Sequence, residues 1–292
     1  MRRLTALFIL LTCLTAASLS PARAGTLSFG AAEFPSDAEE IDLKDEIVTD
    51  MGAFEAFLKG FPDLRRVDMF STPVDKKQIA RLTGAFPEIT FGWTISIANG
   101  KHLIRTDQTA FSTLHGECVR HTSEDMDVLR YCTALKALDL GHNSLTDVSF
   151  LEPLKELRVL ILADNRNISG LEVLEGLEHL EYLELFTCSL RDISFLSGLT
   201  ELKDLNLANN GIRNYDALYS LTKLRRLWIA DMGANIGAQR MKELQAVMPD
   251  AVIMTSGHPT ANGWRTDSHY DTIWEIFHTN EYIPFPDAES AE

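Results

Sequence analysis

Reaction chemistry in this chain would have to start from its eight histidines and four cysteines, and their spacing offers little to build on. His115, Glu117 and His121 come nearest to a metal-ligand set, because residues 115 and 117 would share one face of an extended strand. Two imidazoles and one carboxylate in an irregular stretch are ordinary surface residues more often than ligands, so no metal is expected. His258, His269 and His278 keep no common spacing. There is no Gly-rich phosphate loop, no Gly-x-Ser-x-Gly and no His-Glu-x-x-His. No cofactor is implied, and nothing argues for an enzyme.

Binding chemistry is better supplied. Asp139, Ile161, Tyr182, Glu184, Phe186, Asp204, Arg226 and Trp228 combine aromatic, aliphatic and charged side chains, the usual makeup of an interaction hot spot. What would bring them together is a repeat. Leu135, Leu157, Leu180, Leu202 and Leu224 each open the same phrase, at spacings of 22, 23, 22 and 22 residues. The phrases are LKALDLGHN, LRVLILADN, LEYLELFTC, LKDLNLANN and LRRLWIADM. Each fits L-x-x-L-x-L-x-x-N/C, apart from Ile229 at the second strand position and Met232 in the ladder. Alternation in L-x-L makes a short strand with one buried face, and stacking such strands makes a parallel sheet.

The positions flanking the leucines then form outward columns. The first holds Ala137, Val159, Tyr182, Asp204 and Arg226; the second Asp139, Ile161, Glu184, Asn206 and Trp228; the third Gly141, Ala163, Phe186, Ala208 and Ala230. Ile161, Tyr182, Phe186 and Trp228 are expected to be exposed there, with packing of Tyr182 and Phe186 along the sheet as the alternative. Asn143, Asn165 and Asn210, with Cys188 in their place once, form a structural ladder whose side chains bond the backbone of adjacent coils. Asp147 and Asp192 read as caps of convex turns.

The repeat continues on both sides. Asp125 to Leu135 aligns with Asp147 to Leu157 at the same offset of 22, which puts a degenerate strand near Leu114 to Cys118. A second repeat type shows helical apolar spacing ended by proline: Phe54, Phe57 and Phe61; Ile79, Leu82 and Phe86; Met241, Leu244 and Met248. Strands follow at Arg66 to Met69, Thr90 to Trp93 and Val252 to Met254, giving about ten strands from Ile41 to Met254. These longer units would form the two ends of the solenoid. A helix from Asp267 or Ser268 to about His278 carries Tyr270, Ile273, Trp274 and Phe277 on one face. It is expected to cap the edge of the final coil, with a docking helix as the alternative.

The phrases ALDLGHNSLTDVSFL, LRVLILADN, LEYLELF and DLNLANN resemble the leucine-rich-repeat family in its short bacterial form, over almost all of residues 38 to 256. Thr106-Asp107, Ala110 to Thr113, Gly263-Trp264-Arg265 and Tyr270-Asp271 look like a subgroup of secreted bacterial repeat proteins. The resemblance implies an α/β leucine-rich-repeat solenoid, with a curved parallel sheet on the concave side, short helices or turns on the convex side and a helical C-terminal cap. It also implies a concave face that commonly binds proteins. A glycan is the alternative ligand, since aromatic rings on a curved sheet suit stacking on sugars.

The ends and composition place the chain. Met1-Arg2-Arg3, an apolar run from Leu4 to Ala17 and Ala22-Arg23-Ala24 read as a signal peptide cut at Ala24/Gly25. The run is shorter than the roughly 18 to 20 residues of a spanning helix, which disfavours a retained anchor, and Thr12 before Cys13 disfavours a lipoprotein. Three arginines and no acid leave with the signal, so a formal charge of −15 becomes −18. That excess repels phosphate backbones and anionic lipid, arguing against nucleic acid and membrane partners; a basic or neutral protein face would suit it better, and a plain solubility device is the blander reading, set ahead of it. Cys118, Cys132 and Cys188 remain, an odd number at irregular spacing that makes no disulfide framework; they read as buried thiols, with a Cys118–Cys132 bridge within one coil as the alternative. The expected division is a signal peptide at 1–24, a linker at 25–37, longer repeats at 38–112, the regular array at 113–256, a capping extension at 257–285 and a disordered acidic tail at 286–292.

Overall fold

A computed structural model describes residues 25–114, 119–230, 236–260 and 263–286. The expected signal peptide, His115, Glu117, Cys118, Met232 and residues 287–292 of the expected tail lie outside them. The chain is a leucine-rich-repeat solenoid. Its regular strands are β7 (Ala110–Ser112), β8 (Ala137–Asp139), β9 (Val159–Ile161), β10 (Tyr182–Glu184), β11 (Asp204–Asn206), β12 (Arg226–Trp228) and β13 (Val252–Met254). They form one parallel sheet in sequence order. Register keeps each coil in phase with the next, so Tyr182 lies between Val159 and Asp204, and Glu184 between Ile161 and Asn206. Leu138, Leu160, Leu183, Leu205 and Leu227 point into the coils and are fully buried. Convex returns are 3-10 turns at Ser149–Leu151, Leu171–Gly176, Ser194–Gly198 and Asp216–Ser220. The Asp147 and Asp192 carboxylates accept from the Ser149 and Ser194 amides, at 3.3 and 3.0 Å, at the start of two of them.

The ladder side chains close the turn out of each strand. Asn210 Oδ1 accepts from the Cys188 and Leu190 amides at 3.0 and 2.9 Å, and its Nδ2 donates to the Leu185 and Leu207 carbonyls at 2.8 Å each. Asn165 bonds the Leu145 amide and the Leu140 and Leu162 carbonyls, and Asn143 bonds the His121 amide and the Leu140 carbonyl. Cys188 substitutes with its thiol, which donates to the Leu162 carbonyl at 3.2 Å. Burial pushes the Cys188 and Cys132 thiols up to about 12, so both stay protonated. Asn210→Ala strands two amides and one carbonyl of the preceding coil and one carbonyl of its own, and should lower unfolding stability by about 2–5 kcal/mol in urea titration. A loss below about 1 kcal/mol would mean that water replaces the ladder without penalty.

The N-terminal part departs from one continuous sheet. A hairpin, β1 (Thr26–Phe29) and β2 (Ala32–Pro35), replaces the expected linker. Leu27, Phe29 and Phe34 pack on the core cluster, Phe29 edge-on to Phe54 at 5.2 Å. Its turn needs Gly30, whose φ is +61° and whose missing Cβ leaves room for the Glu46 carboxylate. Strands β3 (Glu40–Asp42), β4 (Arg66–Val74), β5 (Thr90–Ile97) and β6 (His102–Arg105) form a second sheet. Helices α1 (Met51–Leu58) and α2 (Lys76–Ala85) fall where the proline-terminated spacing predicts them, with Asp50 and Asp75 as N-caps. The sheet stops because β6 turns back antiparallel on β5 and fills its edge. Among the described residues the strand that opens this coil is β7; the strand expected near Leu114 to Cys118 falls, apart from Leu114, outside the described residues. The helical part of that coil keeps the offset of 22, as α3 (Ser123–Met126) and the turn Asp127–Tyr131. One apolar core still runs from Ile41 to Ala251. At the other end, α4 (Ala238–Val247) leads into β13.

Candidate binding site on the concave face

The concave face is covered by the chain itself. Helix α5 (Ser268–Thr279), capped at Asp267, contacts β7 and β8 rather than the edge of the final coil. The expected edge cap is thus corrected: α5 lies against β7 and β8, at the end of the sheet opposite β13. The reason is chemical fit. Trp264, Ile273, Ile276, Phe277 and Phe285 from the C-terminal segment form a second apolar cluster with Ile161, Tyr182, Phe186 and Trp228 of the sheet, separate from the interior of the coils.

Each residue of the expected site has a place in this layer, and none is exposed. Tyr182 and Trp228 pack on the Trp264 ring at 5.5 and 5.1 Å between centroids, and the Arg226 guanidinium lies 4.4 Å from it. Glu184 accepts from Trp264 Nε1 at 2.9 Å and from the Tyr182 hydroxyl. Arg226 donates to the Trp264 carbonyl at 3.0 Å and pairs with Asp204. Asp204 also meets His269 Nδ1. Ile161 and Phe186 line a cavity with Asp139. The expectation that Ile161, Tyr182, Phe186 and Trp228 stand open to a partner is therefore corrected, since the relative exposure of each is 8% or less. Stacking on a sugar needs open ring faces, which Tyr182 and Trp228 lack, so the glycan alternative loses its basis.

Residues outside the expected site complete the arrangement. Asn206 Nδ2 donates to the Pro259 carbonyl at 2.9 Å. Arg225 bridges Asp204 and Asp267 at 3.3 and 3.1 Å. Phe285 stacks on His269 at 4.4 Å, and the Tyr282 amide donates to Thr109 Oγ1 at 2.9 Å, across the far end of the sheet. The available signal was Gly263-Trp264-Arg265, which stands out in sequence but has no repeat partner. Burial raises the Glu184 carboxyl above its ordinary range despite its two donors, and lifts Asp139 to about 7. The Tyr182 hydroxyl is likewise pushed well up, first by burial and then by Glu184.

His121, weighed above as a metal ligand, meets His102 instead, with the two Nε2 atoms 2.9 Å apart. Burial lowers both imidazoles. Among the described residues no group of three or more His, Cys, Asp or Glu could hold a metal. Nor is any described helix long and apolar enough to cross a membrane.

Solved structures with a similar course include an internalin from Listeria monocytogenes, 20% identical, covering 69% of this chain and 64% of the other, with a TM-score of 0.44. The chain thus spans less than two thirds of that protein. Internalin C2 from the same species is 20% identical over 75% of this chain and 80% of the other, with a TM-score of 0.41. A Leptospira interrogans leucine-rich-repeat protein is 14% identical over 68% and 74%, with a TM-score of 0.25. No family model and no curated relative matches the chain.

Proposed function

We propose that this protein is a secreted, non-enzymatic leucine-rich-repeat module that binds a protein partner on its concave side. The partner meets the layer that the C-terminal segment lays over the sheet. The column residues Asp139, Ile161, Tyr182, Glu184, Phe186, Asp204, Arg226 and Trp228 support that layer from beneath. The observation that carries the reading is Trp274. Helix α5 buries Ile273, Ile276 and Phe277 against the sheet, yet leaves Trp274 62% exposed. His278 stacks on it at 4.7 Å, and Leu114, 52% exposed, shares the rim of the same cavity. A tryptophan held rigid on a helix, open on one face and beside a second exposed apolar side chain, is the form an interface anchor takes. A formal charge of −15 favours a partner with a basic face. Export is supported by the Ala22-Arg23-Ala24 pattern, whose cut would fall just before β1.

Capture from secreted and surface material by the wild type and by Trp274→Ala tests the reading. Trp274 is exposed, so its loss should leave the near-ultraviolet circular dichroism of the buried aromatics nearly unchanged. A protein held by the wild type and retained about tenfold less by the variant is expected, as for a hot-spot truncation. Equal retention by both would remove the concave side as the site.

A further inference from the structure

Between α5 and the sheet lies a cavity of roughly 130 Å³. An apolar cavity of about 150 Å³ takes benzene, so this one admits a short alkyl chain or a small ring. Ile161, Ala163, Phe186, Ile273 and Phe277 make its apolar walls. Its polar groups come from both sides. The sheet side contributes Asp139, Glu184, Ser112 and His142, and the C-terminal segment contributes Arg265 and Tyr270.

The two carboxylates are buried and incompletely satisfied. Asp139, 4% exposed, takes the Gly141 amide on Oδ1 at 2.9 Å, but Oδ2 has only the Ser112 hydroxyl at 3.4 Å. Glu184, 2% exposed, receives both its donors on Oε1. Among the described residues no donor reaches its Oε2, and Glu184 lines the cavity. Among the described residues neither carboxylate forms an ion pair, and Arg265 acts on both, with Arg226 also on Glu184, from further away. The single cation in the lining, Arg265, lies over the Tyr270 ring, its guanidinium carbon 5.4 Å from the centroid. His142 is engaged with Asp164 at 3.3 Å. Burial pushes both carboxyls toward their protonated forms, so either one, when ionised in this apolar enclosure, lacks a charge partner in contact, which a bound cation would supply.

We infer that this cavity binds a primary ammonium group on a slim apolar stem, the ammonium donating to Asp139 Oδ2 and Glu184 Oε2 and the stem lying among Ile161, Phe186 and Phe277. An ammonium supplies three donors and no acceptor, which matches the oxygens left free. An anion would face both carboxylates. A neutral stem of the same size would fill the walls but leave the charge unmatched. The elevated Asp139 couples such binding to loss of a proton, so affinity should rise between pH 6 and pH 8. The cavity shares its rim with Trp274 and Leu114, but amine binding to the chain alone needs no partner and can fail separately from the reading proposed for Trp274.

The test is calorimetric titration of the full mature chain with n-pentylammonium chloride, and with n-pentanol as its uncharged counterpart. The amine should bind at least tenfold tighter than the alcohol, and tenfold weaker to Asp139→Asn or Glu184→Gln than to the wild type. The comparison of amine with alcohol needs only the wild type, so it decides the matter even if a variant fails to fold. Nα-acetyl-lysine methylamide separates two sources of the same group. Binding at least as tight as the free amine assigns the cavity to a lysine side chain of a partner, and weaker binding assigns it to a free amine. Alcohol and amine binding alike, or an unchanged affinity in a folded Asp139→Asn, would overturn the inference.

Discussion

Trp264→Ala should release the C-terminal segment from the concave face while the coils beneath stay folded. Trp264 is fully buried and its ring is enclosed by Tyr182, Trp228 and the Arg226 guanidinium. Truncating a buried tryptophan costs about 3–5 kcal/mol in cavity and transfer terms. Glu184 also loses the Nε1 donor, leaving a buried carboxylate short of a partner at about 1–3 kcal/mol more. This loss falls on contacts between segment and sheet. The interior of the coils does not include Trp264, because the two apolar clusters are separate. The expected result is loss of hydrogen-exchange protection across residues 268–279, with β8 to β12 still protected. Proteolysis should then cut between residue 257 and β13's end or within α5 at low protease. If protection falls together in α5 and in β8 to β12, the segment and the coils are one cooperative unit, and the description of the segment as a separate layer fails.

The repeat was legible because its cause is local. A leucine every second position faces inward, and an asparagine or cysteine three places after the second strand leucine closes the turn, so β8 to β11 and their columns follow from spacing alone, and β12 follows from the 22-residue period despite Ile229 and Met232. The helices α1, α2 and α4 were legible for the same reason, through three-residue apolar spacing ended by proline. Where the outcome depended on which surfaces meet, spacing was silent. The amphipathic face of α5 was visible, but Ile273 and Phe277 carry no mark that selects the concave sheet over the edge of β13. One mark existed in the columns themselves. Ala137, Val159, Ile161, Ala163, Ala208 and Ala230 make a face more apolar than solvent favours, and Asp204, Arg226 and Glu184 sit on it as charges in need of partners. Such a face anticipates a cover. Likewise, the antiparallel return of β6 depends on the turn at Ala98, Asn99 and Gly100, all with positive φ. It has no counterpart elsewhere in the repeat.

Asp139→Asn should stabilise the protein at pH 8 and lose that advantage on acidification. Burial dominates the upward shift of the Asp139 carboxyl from 3.8 to about 7, the nearby Glu184 adds to it, and the Gly141 amide, Ser112 hydroxyl and Arg265 oppose it. A group whose pKa is raised on folding binds more protons in the native than in the unfolded state, so its contribution to stability is present below pH 3.8 and lost as pH rises through 7. A shift of three units corresponds to an upper bound of about 4 kcal/mol. Glu184 is raised for the same leading reason and tilts stability in the same direction. Asparagine keeps an acceptor for the Gly141 amide and cannot ionise. Urea unfolding at pH 8 should therefore show the variant about 2–4 kcal/mol more stable than the wild type, and at pH 4 the two should converge. A variant that is less stable at pH 8, or a difference that does not change with pH, would mean that the ionised Asp139 is held by something stronger than the Gly141 amide and the Ser112 hydroxyl. Loss of amine binding in the same variant would then separate the two roles of one carboxylate. Asp139 destabilises the empty cavity at neutral pH, and that cost is what a cationic ligand can recover.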